Sequence, residues 1–153
     1  MNEGQIIELF IRAAEVDRKV SKTAPRNDIP YSRVRSVLLC DAEAGKLYWK
    51  KRPIKLFKDG CAFDSWNKKF AGREAFTAQD ENGYFCGGIF GKRYRAHRII
   101  WLLHYKKWPS QVIDHINGNP GDNRIVNLRD VSQAENIRNS PSSRAADFGK
   151  VRA

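Results

Sequence analysis

Seven consecutive residues, Asn117 to Asn123, are all strong turn formers, and this loop constrains the fold more than any other feature of the chain. Such a density of Asn, Gly, Pro and Asp excludes a helix or a central strand at this place. The short apolar run Val112-Ile113 precedes the loop, and the segment Ile125–Val131 follows it. We expect these two flanking segments to form a pair of strands joined by the loop.

A helix is predicted directly after the second of these strands. Ser132 and Glu135 have the S-x-x-E spacing of a capping box, in which each side chain bonds the backbone of the other residue. Asn136 would then lie in the first turns of this helix, near the strand pair. The order of elements from residue 112 to residue 139 is therefore expected to be strand, loop, strand and helix.

Three polar side chains of this stretch have the chemistry that phosphodiester hydrolysis requires. His115 is the one histidine of the sequence that has a neighbouring carboxylate, and a neutral imidazole can take a proton from water near neutral pH. Asp114 and Asn136 offer oxygen ligands, which suit a hard ion such as Mg²⁺, whereas zinc would need sulfur or imidazole. Consecutive strand residues point to opposite faces, so Asp114 and His115 can share a site only where the strand ends or bulges.

Four motifs occur in this stretch in a fixed order. They are Asp114-His115-Ile116-Asn117-Gly118, Asp122-Asn123-Arg124, Asn127-Leu128-Arg129 and Glu135-Asn136. In this order and at this spacing they resemble the HNH endonucleases of the His-Me finger, or ββα-metal, superfamily, and in particular the phage and homing-endonuclease group. The upstream residues 96–101 are similar to the helix that leads into the motif in that family.

The resemblance implies both a fold and an activity. It implies an α+β protein with a ββα-metal catalytic unit, preceded by a helical and β-hairpin extension, that acts as a divalent-metal-dependent DNA endonuclease of nicking or homing type and of phage origin. It implies His115 as the general base, Asp114 and Asn136 as metal ligands, and Asn127 as the residue that braces the loop and orients the base. Many members have histidine where this chain has Asn136, and the variant resembles the Mg²⁺-using branch, with Mn²⁺ as an alternative.

The net charge of +11 predicts a polyanionic partner, which we expect to be DNA. Residues 1–83 contain 16 basic and 12 acidic residues (+4), and residues 84–153 contain 12 basic and 5 acidic residues (+7), so the excess lies with the motif. The cations expected to contact DNA belong to a predicted hairpin, the next helix and the motif, and they are Lys92, Arg93, Arg95, Arg98, Arg124, Arg129 and Arg138. For the hairpin, an ordinary exposed turn is an equally good interpretation.

The remaining sequence divides into four predicted segments. A helical segment (1–40) with helices over 6–20 and about 31–40 leads into a β-rich, DNA-contacting region (41–95), then the catalytic unit (96–139) and a disordered tail (140–153). The β-rich region is expected to contain a strand at 46–50, a long loop over 51–70, a strand at 73–78 and a hairpin that turns at Gly91-Lys92. The apolar helix predicted over 96–106 should be buried. Its His97 could approach the metal site, but we prefer to interpret it as a packing residue.

Several classes of protein are not indicated. The sequence lacks an apolar run long enough to span a membrane and begins with an acidic stretch, so we expect a cytoplasmic protein without a membrane partner. The three cysteines lack C-x-x-C spacing, which argues against disulfides and a structural zinc site. No small-molecule cofactor is expected, and one site per chain favours a monomer. The rival functions are a catalytically silent nucleic-acid-binding module and a structure- or RNA-directed nuclease.

Overall fold

The computed structural model describes residues 27–139, which form a mixed α+β fold with short antiparallel sheets, as expected. The helix predicted over 6–20 and the disordered tail predicted over 140–153 lie outside the described residues. The α-helices are α1 (Tyr31–Val37), α2 (Gly60–Phe70), α3 (Ala96–Tyr105) and α4 (Gln133–Arg138). The strands are β1 (Leu38–Asp41), β2 (Lys46–Trp49), β3 (Glu74–Ala75), β4 (Ala78–Gln79), β5 (Phe85–Ile89), β6 (Lys92–Arg95), β7 (Val112–His115) and β8 (Leu128–Val131).

The first sheet has the order β1-β2-β3 and confirms the predicted strand near residues 46–50. The preceding helix α1 ends at Val37, so the prediction that it continues to about Cys40 was wrong. Residues 38–41 instead pair with β2, in a register that sets Leu38 opposite Trp49 and Asp41 opposite Lys46. Pairing with a neighbouring strand decided the structure here, because helical periodicity over a few residues is a weak signal.

The second sheet, β4-β5-β6, contains the predicted hairpin. Ile89 pairs with Lys92, so the two turn residues are Phe90 and Gly91, and the expected turn at Gly91-Lys92 was one residue too late. Both turn residues have positive φ, 52° and 75°, as two-residue hairpin turns of the primed types require. The strand predicted over 73–78 is divided into β3 and β4, which belong to different sheets.

Helix α2 occupies part of the segment that was predicted to be a long loop, so that prediction was wrong. Asp59 caps the helix, and its carboxylate accepts a hydrogen bond of 2.7 Å from the backbone N–H of Ala62. Trp66 contacts the rings of Trp49 and Phe57 at centroid distances of 5.7 and 6.0 Å. These aromatic contacts hold an amphipathic helix whose apolar positions are too sparse to show a clear period in the sequence.

Helix α3 lies at the centre of the fold and confirms the buried helix predicted over 96–106. Its residues 96–100 and Leu102 are buried, and the helix packs against α1 and against strands of both three-stranded sheets. The core around it consists mainly of Val34, Val37, Leu38, Leu47, Ile89, Ile99, Ile100 and Leu102. Within residues 27–139, helices of the length and apolarity needed to cross a membrane are absent.

The third sheet is the pair β7-β8, followed by α4, and gives the predicted order of strand, loop, strand and helix. The second strand begins at Leu128, because residues Ile125–Asn127 form a 3-10 turn; the expectation of a strand over the whole of 125–131 was wrong at its start. The capping box is present, with both the Ser132 and the Glu135 side chains bonded as predicted. The register pairs Asp114 with Arg129 and His115 with Leu128.

Candidate active site

A cleft of about 260 Å³ lies between the end of β7, the following loop and α4. Asp114, His115 and Asn136 all line it, together with Tyr84 and Asn139. Strand β7 ends at His115, and Gly118 turns the chain with a φ of 73°. Because the strand ends there, two consecutive side chains can contribute to the same cleft, which meets the geometric condition set out from the sequence.

The imidazole of His115 is buried, with 5% of the residue exposed, and the amide of Asn123 holds one of its nitrogens. The distance from His115 Nε2 to Asn123 Oδ1 is 3.1 Å. An amide oxygen only accepts hydrogen bonds, so Nε2 carries the proton and Nδ1 keeps the lone pair. The contact with Asn123 therefore favours the tautomer that is protonated at Nε2.

Two further rings pack around this imidazole. The ring of His97 meets it edge-on at a centroid distance of 5.1 Å, and the ring of Tyr84 lies 5.7 Å from it. Burial holds the pKa of His97 well below its usual 6.5, with the nearby His115, Arg95 and Arg98 adding to the effect. His97 therefore acts as a neutral packing residue behind the cleft, in agreement with the interpretation preferred from the sequence.

The carboxylate of Asp114 forms an ion pair across the strand pair with Arg129. Both Nε and Nη2 of Arg129 donate to Oδ2 of Asp114, at 2.9 and 2.6 Å. Asn139 Nδ2 reaches the same oxygen at 3.5 Å. These three contacts therefore all fall on Oδ2, and Arg129 orients the carboxylate by this oxygen.

Asn127 is buried and ties the two ends of the turn-rich loop together. Its Oδ1 accepts from the backbone N–H of Asn117 at 3.0 Å. Its Nδ2 donates to Asn117 Oδ1 at 3.0 Å and to the carbonyl of Asp122 at 2.8 Å. These contacts have the geometry expected of a residue that braces the loop. The described contacts of its side chain do not include the His115 ring, which Asn123 holds instead.

Asn123 is the residue that sequence reasoning missed. It was recognised only as the middle letter of the Asp122-Asn123-Arg124 motif and was given no role. Its 4% exposure and its bond to His115 set it apart from the exposed turn asparagines Asn117 and Asn119. The motif was the available signal, although only the fold reveals which of several neighbouring asparagines faces the imidazole.

The oxygen ligands at the cleft fit a hard cation. Among residues 27–139, groups of three or more His, Cys, Asp and Glu side chains that could hold a metal are absent. Asp114 and Asn136 provide a carboxylate and an amide oxygen beside the same cleft. Mg²⁺ keeps much of its hydration shell and needs few protein ligands, so this donor set suits it, whereas zinc would need imidazole or thiolate.

Four of the seven cations predicted to contact DNA form ion pairs within the protein. The pairs are Lys92 with Asp28, Arg95 with Asp80, Arg124 with Asp122, and Arg129 with Asp114. Arg93 is exposed and donates to the Cys86 sulfur, and Arg138 is exposed at the end of α4.

Arg98 has a different position from the other six. It is buried, with 8% exposure, and its guanidinium donates to Asn27 Oδ1 and to the carbonyl of Gln111. Burial also lowers its pKa. A guanidinium held by internal acceptors is poorly placed to bind a phosphate, so Arg98 joins α3 to the segments on either side of it.

Asp122 forms a close pair with Arg124 at the edge of the loop. Both Nε and Nη2 of Arg124 donate to its carboxylate, at 2.8 and 2.7 Å. These bonds lower the pKa of Asp122 to about 2, with smaller contributions from its other donors, including Asn117. The carboxylate therefore stays ionised near neutral pH, and the pair contributes no net charge to the loop.

Comparison with known proteins agrees with the motif. Residues 94–138 match the family described as HNH endonuclease. An uncharacterized HNH endonuclease of Acanthamoeba polyphaga mimivirus is 31% identical over 101 residues, in a match that covers 60% of this chain and 25% of that protein. The chain therefore spans about a quarter of the length of this relative.

A solved structure also resembles the chain in part. It describes DNA binding and cleavage by the HNH homing endonuclease I-HmuI. The match covers 72% of this chain and 59% of the chain in that structure, with a TM-score of 0.44 and 24% sequence identity. The family match, in contrast, covers β7, β8, α4 and the cleft residues Asp114, His115 and Asn136, while Tyr84 and Asn139 of the cleft lie outside it. Residues 94–138 are therefore similar to the HNH endonuclease family.

Proposed function

We propose that this chain is a divalent-metal-dependent endonuclease that hydrolyses phosphodiester bonds in DNA. One observation carries the proposal. The tautomer of His115 that Asn123 selects has its lone pair on Nδ1, and this imidazole shares a cleft with Asp114 and Asn136. An imidazole base beside two oxygen ligands is the minimum that metal-assisted hydrolysis of a phosphodiester requires.

Each side chain of the cleft then has a defined task. His115 accepts at Nδ1 the proton of the water that attacks phosphorus, while Asn123 keeps Nε2 protonated. Asp114 and Asn136 would hold the divalent ion, for which Mg²⁺ is the proposed choice and Mn²⁺ the alternative. When bound, such an ion supplies positive charge to the phosphate oxygens and to the leaving 3′ oxygen. Arg129 keeps Asp114 oriented, and Asn127 keeps the loop closed around the base.

DNA is the proposed substrate because of the charge distribution. Besides the cations of the motif, residues 50–69 contain seven basic and two acidic residues, and Lys51, Lys55 and Lys68 among them are exposed. Such a surface attracts the phosphate backbone of a duplex without regard to sequence. Exposed ion pairs such as Arg95–Asp80 and Arg124–Asp122 are weak and can exchange a carboxylate for a phosphate. We propose a monomer that nicks one strand, of the phage or homing-endonuclease type.

Plasmid nicking tests this proposal. The wild-type protein is expected to nick and so relax supercoiled plasmid in the presence of Mg²⁺. The nicking should stop when EDTA is added. His115→Ala should lower the rate by about 10²–10⁴-fold, the usual contribution of a general base. His104→Ala, which removes an exposed histidine of α3, should stay within about twofold of wild type. Equal nicking by wild type and His115→Ala, or no effect of EDTA, would contradict the proposal.

The same assay separates the two rivals. A catalytically silent binding module would retain the plasmid in a gel shift and leave it supercoiled at every Mg²⁺ concentration. A nuclease directed to RNA would cut a single-stranded RNA in preference to a DNA duplex of the same sequence. The residues that favour the DNA endonuclease over the silent module are Asp114, His115 and Asn136, since a binding surface has no chemical need for this group of side chains.

A further inference from the structure

We infer that the β1–β2 turn, residues 42–45, positions the catalytic base, although it lies about 70 residues before it and outside the segment that matches the family. The inference rests on the proposed role of His115. The turn contacts the backbone of Asn123 and its two successors, and Asn123 in turn holds the imidazole. Gly45 is the residue on which this support depends.

Two contacts join the turn to the motif. The backbone N–H of Ile125 donates to the carbonyl of Ala42 at 2.9 Å. A Cβ atom placed on Gly45 would lie 2.4 Å from the nitrogen of Arg124 and 2.5 Å from the carbonyl carbon of Asn123. The turn therefore lies directly against the backbone behind Asn123, at a distance that only glycine permits.

The β1–β2 turn is held in place by the sheet to which it belongs. It joins β1 and β2, whose Leu38 and Leu47 are each 1% exposed in the core beneath. The carboxylate of Asp41 accepts from the backbone N–H of Ala44 at 2.9 Å and closes the turn. A group inserted between the turn and the loop would thus displace the loop, which is held mainly by side-chain hydrogen bonds, before it displaced the sheet.

A small displacement of the loop is enough to release the imidazole. The bond between His115 Nε2 and Asn123 Oδ1 measures 3.1 Å, near the upper end of the normal range. A shift of about 1 Å would lengthen it beyond that range and leave both ring nitrogens free to carry the proton. The population with its lone pair on Nδ1 would fall, and with it the turnover number of the proposed reaction.

The chain offers a matched control for this test. Gly45 and Gly91 have similar positive φ values, 69° and 75°, so alanine is equally strained at both. A Cβ on Gly91 would have no heavy atom within 4 Å, apart from its chain neighbours, whereas a Cβ on Gly45 would meet the motif backbone. The difference between Gly45→Ala and Gly91→Ala therefore isolates the contact from the backbone strain.

The experiment compares both variants in the full chain by plasmid nicking, DNA binding and ¹⁵N NMR of the histidine rings, with His115 assigned by its loss in His115→Ala. We expect Gly91→Ala to match wild type within about twofold in kcat. Gly45→Ala should lower kcat by about tenfold or more at unchanged DNA affinity, and its His115 signals should change from one tautomer to a mixture. Equal kcat and equal His115 signals in the two variants would overturn the inference.

A second variant decides the matter should Gly45→Ala fail to fold. Asp41→Ala removes an exposed carboxylate that closes the turn and adds no atom to the interface. A shift of the His115 ring signals toward the mixed tautomer in this variant supports the inference, and unchanged signals overturn it. If wild type does not nick DNA, the proposed function fails, while the ring signals still report whether the turn positions His115.

Discussion

The substitution Asn127→Ala should cost about 2–4 kcal/mol of stability, because this side chain ties together the two ends of the turn-rich loop. Its side chain makes three hydrogen bonds, two to Asn117 and one to the carbonyl of Asp122, and the residue is only 6% exposed. A typical internal hydrogen bond contributes about 0.5–1.5 kcal/mol net, and a buried partner left unsatisfied costs more. Three such bonds give a loss of about 2–4 kcal/mol in the free energy of unfolding.

Asn119→Ala is the matched control for this change. The Asn119 side chain accepts one hydrogen bond of 2.9 Å from the backbone N–H of Gly121, at an exposed position. Its loss should cost about 0.5 kcal/mol, because water replaces the missing acceptor. The two variants remove the same chemical group, one beside the loop and one within it, and they differ mainly in burial and in the number of bonds.

Urea denaturation followed by tryptophan fluorescence measures both losses. We expect the midpoint to fall clearly for Asn127→Ala at an unchanged m-value and to move little for Asn119→Ala. A smaller m-value in Asn127→Ala would indicate that the loop is already open in the native state, because less surface would then be exposed on unfolding. A loss below about 0.5 kcal/mol for Asn127→Ala would refute the argument that this side chain closes the loop.

Three other changes have defined outcomes. Asn136→Ala should weaken Mn²⁺ binding, measured by electron paramagnetic resonance, by at least about tenfold, and unchanged affinity would remove this residue from the metal site. Because the pKa of His97 in the folded chain lies below its usual 6.5, wild type should lose stability as the pH falls below about 6.5, by up to about 1.4 kcal/mol per unit. His97→Phe should lack this component in urea titrations at pH 7 and pH 5, and identical pH slopes would contradict the assignment. Asp59→Ala should destabilise the protein by about 1 kcal/mol through loss of the α2 cap, as measured by thermal unfolding, with no change expected in nicking.

The elements around the site were predictable because local signals determine them. The turn formers between Asn117 and Asn123, the capping box at Ser132 and the apolar run of α3 each specify structure within a few residues. Helix α2 was not predictable in this way. Its stability depends on contacts of Trp66 with rings distant in sequence, so the segment appears irregular until the fold is known.

The residues that hold the site in place were harder to predict from the sequence than the side chains proposed to take part in the reaction. The letters of the motif indicate Asp114 and His115, because their chemistry is specific to the residue type. The contact of Gly45 with the backbone of Asn123 leaves no such signal, since a glycine after a strand predicts only a turn. Residues that act through backbone contact can be found only once the two segments are seen together.

The same distinction applies to the cations. Sequence reasoning treats every arginine near the motif as available to phosphate, but the fold pairs Arg129 with Asp114 and Arg124 with Asp122, and it buries Arg98. An exposed ion pair adds little to stability, so the Arg124 pair can open to a phosphate at small cost. The Arg129 pair is less exposed and orients a proposed metal ligand, so it should remain closed when DNA binds. We therefore expect Arg124 to be available to a phosphate, whereas Arg129 holds the carboxylate of Asp114 in place.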